Sequence, residues 1–265
     1  MGSKNGKSPP ITTGSTRGCV VSGSSRGVRA LRLCAVVACL AVAACAGPQA
    51  VGTNDPLEPT NRAIFRVNRW WDRCCLVPTL ERYRTWVPAE GRQAIHNFLG
   101  NLGAPITFVN DIAQGETERG RQTVERFAIN STLGVGGLFD PATRWGVAPH
   151  SEDAGQTLGV WGVNEGPYLV IPLLGPSNPR DVAGITANVL LDPTNLIPLK
   201  QHLWWAGFRQ YMVLVDVRSE TLDALREVER NSVDYYASMR SLYRQARADQ
   251  IRNGKPAPAE NLPDL

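Results

Sequence analysis

A chain of 265 residues with 43% hydrophobic side chains can bury one or two cores, and its formal charge of +4 at first points to an anionic partner. That excess lies outside the body of the protein: Lys4, Lys7, Arg17, Arg26, Arg29 and Arg32 are the only charged residues before Cys45, so the remainder carries 22 basic against 24 acidic side chains, a net charge of −2. The balance excludes nucleic acid as a partner.

Arg29 and Arg32 precede a short apolar run over residues 33–44 that ends in Val42-Ala43-Ala44-Cys45, the lipobox pattern of bacterial lipoproteins. The run is shorter than the roughly 20 residues a spanning helix needs. Residues 1–44 are therefore expected to be a removable lipoprotein signal, with Cys45 carrying an N-acyl diacylglycerol and residues 45–54 forming a tether. A soluble export signal with a chance Cys is the competing reading. Acyl chains would anchor the protein, since each buried methylene contributes about 0.8 kcal/mol and more than one chain makes attachment stable. Ala46 and Gly47 after the Cys resemble lipoproteins sent to the outer membrane. Of six Cys, only Cys74 and Cys75 remain beyond the anchor. Adjacent Cys close only a strained ring and no His lies near them in sequence, so two buried thiols are expected.

The body spans residues 55–252. Asp55-Pro56 reads as a cap and first helical residue, followed by a helix whose Ile64, Phe65, Asn68 and Trp71 share one face. A helix from Gly91 to about Leu99 is expected to end at Gly100 and Gly103. A second, from Ala104 to Ala113, is apolar over most of its circumference through Ile106, Phe108, Val109 and Ile112. Residues 116–130 form a charged helix with a narrow stripe of Val124, Phe127 and Ala128. After residue 180, an apolar helix over 181–191, a second Asp-Pro cap at 192–193, an aromatic-rich segment over 202–217 and a long amphipathic helix over 219–252 complete the pattern. The Pro-rich residues 253–265 read as a disordered tail.

Between these helices lies Ser131 to Arg180, with nine Gly and six Pro in fifty residues and a dense set of apolar side chains. It is too broken for a long helix and too hydrophobic for a solvated linker, and such segments in compact domains are usually functional. Tyr168 to Leu174 is its one strand candidate, and Pro172 argues against a central strand. The economical fold class is all-α.

No catalytic constellation stands out. The three His, at 96, 150 and 202, lie in no metal-binding pair and beside no plausible nucleophile. Ser177 sits in a Gly-Pro-Ser-Asn-Pro turn in which Pro179 replaces the glycine of a nucleophile elbow. Gly134, Gly136 and Gly137 lack the Lys of a phosphate loop. Neither an enzyme activity nor a metal or dissociable cofactor is expected.

Four stretches in order, DPLEPTNRAIFRVN (55–68), NFLGNLGAPITFVNDIAQG (97–115), RFAINSTLGVGGLFDPA (126–142) and GQTLGVWGVNEGPYLVIPLLGPSNPRD (155–181), resemble the MlaA (VacJ) family of outer-membrane lipoproteins. The resemblance implies a ring-like, membrane-embedded helical domain whose Gly/Pro-rich segment lines a central amphipathic channel. It implies removal of mislocalised phospholipid from the outer leaflet to a soluble periplasmic carrier of the MlaC type, beside a porin trimer, so that outer-membrane lipid asymmetry is maintained. A lipoprotein that only scaffolds an outer-membrane complex is the alternative. On this basis residues 155–168 are expected to form a short hairpin at the channel. Gly136, Gly137, Gly159, Gly162 and Gly166 are candidate channel or gate positions, and Arg144, Arg180, Asp153 and Glu165 are candidate headgroup contacts. Static turns and structural ion pairs are the competing readings of these two sets.

Overall fold

The computed structural model describes residues 54–192 and 202–256, together with Gly2. The other residues expected to form the signal, Cys45, most of the expected tether and residues 257–265 of the expected tail lie outside the described residues. Helix α1 (Glu58–Trp71) runs through a single π-helical turn (Asp72–Leu76) into α2 (Val77–Trp86). Then come α3 (Ala89–Ala113), α4 (Thr117–Thr132), the short α5 (Pro141–Arg144) and α6 (Ala154–Val160). A two-stranded antiparallel hairpin follows, β1 (Leu169–Ile171) and β2 (Gly175–Ser177), and then α7 (Pro179–Leu191), α8 (His202–Asn231) and α9 (Tyr235–Ile251). The mostly helical class matches the expectation from sequence. Among the described residues no helix is long and apolar enough to cross a membrane.

Several boundaries differ from the sequence reading, each for a local reason. Asp55 does not cap a helix; its buried carboxylate accepts from Asn61 Nδ2 at 2.8 Å, from Arg240 at 2.8 Å and from the Tyr236 hydroxyl, and α1 begins at Glu58. Helix α3 is continuous through Gly100, Gly103 and Pro105. Glycine weakens a helix by only about 1 kcal/mol relative to Ala, which packing along a flank outweighs. The helix expected over 219–252 is two: α8 starts back at His202, and α9 is capped by Asp234, whose carboxylate accepts from the N–H groups of Tyr236 and Ala237. Cys74 and Cys75 are exposed, not buried, with their sulfurs 2.8 Å apart. The π-turn that carries them turns Leu76 inward instead.

The Gly/Pro-rich segment is cut into short pieces by side-chain caps. Asp140 accepts from Thr143 N, Asp153 from Gln156 N and Asn178 from Asp181 N, starting α5, α6 and α7. Each such cap stabilises a helix start by about 1 kcal/mol. The hairpin sits at 169–177, with Leu169 opposite Ser177 and Ile171 opposite Gly175, and not at 155–168, where α6 and its following loop stand. Pro172 falls in its turn rather than in a strand, and Pro176 is tolerated because a two-stranded ribbon has only edges.

Two small apolar clusters hold the helices. One joins Phe65, Tyr168, Val170 and Tyr236, with Phe65 and Tyr236 edge to face at 5.5 Å between ring centroids. The other joins Leu76 and Leu80 to Val215 and Leu222 of α8.

Candidate functional site

Around the Gly/Pro-rich segment the ordinary placement of polar and apolar side chains is reversed. In α3, Thr107, Asn110 and Asp111 are buried while Phe108, Val109 and Ile112 are exposed. In α4, the expected packing stripe of Val124 and Phe127 points outward. The buried face is Gly120, Thr123 and Asn130, at three- and four-residue steps, with the Arg126 side chain beside them only 14% exposed. In α8, Trp204, Phe208 and Tyr211 are exposed and Arg209 and Asp216 are buried. The segment itself presents Leu133, Val135, Phe139, Trp145, Trp161 and Leu174 outward. Exposed large apolar side chains in this number mark a surface suited to an apolar neighbour.

Beneath that shell runs a connected polar seam. Asp111, wholly buried, accepts from the Thr123 hydroxyl at 2.6 Å and lies 3.1 Å from His150 Nε2. Arg119 binds Glu152 at 2.5 Å, and Gln114 bridges Glu152 and the Thr157 hydroxyl, which in turn donates to Asn110. Arg126 binds Asp140 at 2.8 Å and also reaches the carbonyl of Val147. Burial opposes ionisation of Asp140, but donation from Thr143, Arg126 and Asn130 outweighs it and holds the carboxyl at about 2. Further along, Arg247 forks between Asp153 (2.8 Å) and Asp181 (2.8 Å), and Asp181 also accepts from Tyr243 and Arg180. Against the cost of burial, Arg247 keeps both carboxyls below the usual range. Most of these pairs tie the segment or α7 to a long helix, so the seam fixes positions rather than supplying free charge.

Helices α6 and α7 cross at Gly155 and Gly184, where a side chain on Gly184 would lie 2.3 Å from the backbone nitrogen of Gly155. No residue but glycine fits that approach. Between α3, α4 and residues 140–151 lies a cavity of about 400 Å³, with Asn101, Arg126, Phe127, Asn130 and His150 on its walls and His96 among its lining. A wider and more open cleft of about 700 Å³ is lined by Arg69, Arg73, Arg226 and Arg230 around Glu229.

The residues singled out from sequence are not gathered in one place. Gly136 and Gly162 have positive φ and open space around them, whereas Gly137 presses on Asn101 and Gly166 on Pro179. Gly159 is an ordinary helical residue of α6 wedged against Ile251 and Arg180. Arg144 is exposed at the end of α5. Arg180 is buried on Asp181, Asp153 caps α6 and binds Arg247, and Glu165 binds Arg244 at 2.9 Å and Asn54 at 3.1 Å. None of these four lines the 400 Å³ cavity. Its polar groups, Arg126, Asn130, Asp140 and His150, were missed by the sequence reading. The available signal was the polar period Arg119, Thr123, Arg126, Asn130 along α4, which only makes sense once the apolar stripe is turned outward.

Comparison with known proteins gives the same picture. Residues 53–250 match the family model described as MlaA lipoprotein. The Escherichia coli K12 intermembrane phospholipid transport system lipoprotein MlaA is 34% identical over 230 residues, 82% of this chain and 86% of that one. The Haemophilus influenzae protein of the same name is 29% identical over 242 residues, 88% and 95% of the two chains. A chain solved in work on the structural basis for maintenance of bacterial outer membrane lipid asymmetry superposes with a TM-score of 0.67 at 32% identity, covering 74% of this chain and 98% of that one. Motif order and these matches agree: the chain belongs to the MlaA lipoprotein family.

Proposed function

We propose that this protein is an outer-membrane lipoprotein that takes mislocalised phospholipid out of the outer leaflet and passes it to a soluble periplasmic carrier without chemical change. One observation carries the reading: exposed large apolar side chains form a shell over a buried, ion-paired polar seam. A shell of that kind suits acyl chains, and helices suit it because they satisfy their own backbone groups. Irregular backbone at membrane depth is tolerated where protein shields it or where it borders a wet cavity, and residues 131–153 border the 400 Å³ cavity along part of their length. The lipidation of Cys45, the ring-like surround of a channel, the porin neighbour and the MlaC-type carrier belong to this proposal.

Within it, the loop after α6 is the movable part. Gly162 combines a positive φ of 84° with open space, which leaves room for displacement, while Gly159 behaves as fixed wall. Arg126 borders the cavity where Arg180 does not, so it is the stronger headgroup candidate, and to serve it would have to exchange part of its pairing with Asp140 for the phosphate.

The test is transfer of labelled phospholipid from vesicles containing the purified protein to the soluble carrier. Transfer well above protein-free vesicles supports a conduit, and a disulfide cross-link holding residue 162 to its facing wall should then stop it. Normal assembly with the outer-membrane partner but no transfer leaves the scaffold reading standing instead.

A further inference from the structure

On the flank of the cavity, three side chains from two helices converge without serving the seam. His96 of α3 places Nδ1 2.8 Å from Asp216 Oδ2 and 3.2 Å from Glu220 Oε1, both on α8 and one helical turn apart. One donor atom from each of the three lies within 4.8 Å of the others. The Asp216 side chain is only 6% exposed, yet neither carboxylate has an Arg or Lys partner among the described residues. Arg92, the cation whose field reaches the adjoining Tyr83, is committed to the backbone carbonyls of Arg84 and Val87. Removing the countercharge from a buried carboxylate is costly, so a buried Asp facing only an imidazole is unusual.

A second, separate feature points to the same spot. The Tyr83 hydroxyl is buried and has no hydrogen-bond partner. Burial first, and then the fields of Asp216 and Glu220 against that of Arg92, push its phenol up.

We propose that His96, Asp216 and Glu220 form a Zn²⁺ site that clasps α3 to α8. One imidazole and two carboxylates suit zinc rather than Ca²⁺ or Mg²⁺, which take oxygen ligands. Nδ1 stands closer to both carboxylates than the ligands of a tetrahedral zinc do, so the three side chains open by some tenths of an ångström to admit an ion about 2.0 to 2.2 Å from each donor. Zinc takes the Nδ1 lone pair of a neutral imidazole whose single proton sits on Nε2, so on binding the direct Nδ1–Asp216 contact is replaced by a bond from each of these atoms to the ion. The fourth position is left to water. Because His96 also lines the cavity, the clasp would set the separation of α8 from one cavity wall.

The experiment is titration of the purified full chain with Zn²⁺ and, separately, Ca²⁺ by calorimetry, with thermal unfolding followed in parallel. The expected result is one saturable Zn²⁺ per chain that raises the melting temperature and is retained in Cys74→Ser/Cys75→Ser and His150→Gln. Loss of an outer-shell partner alone typically weakens metal affinity about 10- to 100-fold, so His96→Gln and Glu220→Gln should each lose at least that much. Glu220 is half exposed, so its variant folds even if the others do not. Absence of saturable Zn²⁺ binding, an affinity unchanged in Glu220→Gln, binding that disappears with the two cysteines, or a preference for Ca²⁺ would each overturn the site. The readout is ion binding, so it stands or falls independently of lipid transfer.

Discussion

The cluster around Leu80 and the seam around Asp181 hold the same chain by opposite means. At Leu80, apolar side chains of α2 and α8 exclude water in the usual way. At Asp181, a carboxylate gathers Arg180, Tyr243 and Arg247, while apolar side chains nearby on α7, such as Ile185 and Val189, point outward. The contrast teaches that where apolar side chains are left on the outside, polar pairing is left to fix the geometry, as the proposed contact with acyl chains would require.

The comparison breaks or sharpens at four points, all read by unfolding in detergent unless stated. Asp181→Ala takes the carboxylate from buried Arg180 and one of two from Arg247, and should cost the most, about 3 to 5 kcal/mol; a loss below 1 kcal/mol would mean the seam is solvated rather than structural. Leu80→Ala, at a side chain with no exposure, should cost about 3 kcal/mol through transfer and cavity terms. If it costs nothing, the frame does not depend on that cluster. Asp140 supplies a pH test. Its folded pKa, about 2, lies below the ordinary 3.8, so its contribution is complete above about pH 4 and disappears as pH falls through 2. Allowing for solvent screening, the loss should be on the order of 1 to 2 kcal/mol and absent in Asp140→Asn. Leu174→Ser, at an exposed position, should change stability by less than about 0.5 kcal/mol yet reduce partition into vesicles. A large stability loss there would show that the outward face packs on protein.

The same contrast explains what could be read from sequence. Helix positions and family motifs were legible because periodicity and Gly/Pro punctuation act locally. The inward face of α4 was not, because a hydrophobic stripe marks the side that avoids water and says nothing of whether protein or lipid lies opposite. Val124 and Phe127 obey the rule and still point away from the centre. The Asp55 carboxylate was misread for a different reason: its partners Tyr236 and Arg240 lie about 180 residues away, beyond any local pattern. The glycines that looked alike in sequence separate only in three dimensions, into open turns such as Gly162 and wedged positions such as Gly159.

The crossing of α6 and α7 at Gly155 and Gly184 has a mechanical consequence. With peptide backbone resting directly on peptide backbone, the two helices have no side-chain cushion to deform, so they move as one body, like two rods welded at a point. Displacement of the Gly/Pro-rich segment must then be taken up by residues 161–168 on one side and 145–153 on the other. A single added methyl at position 184 would jam both at once.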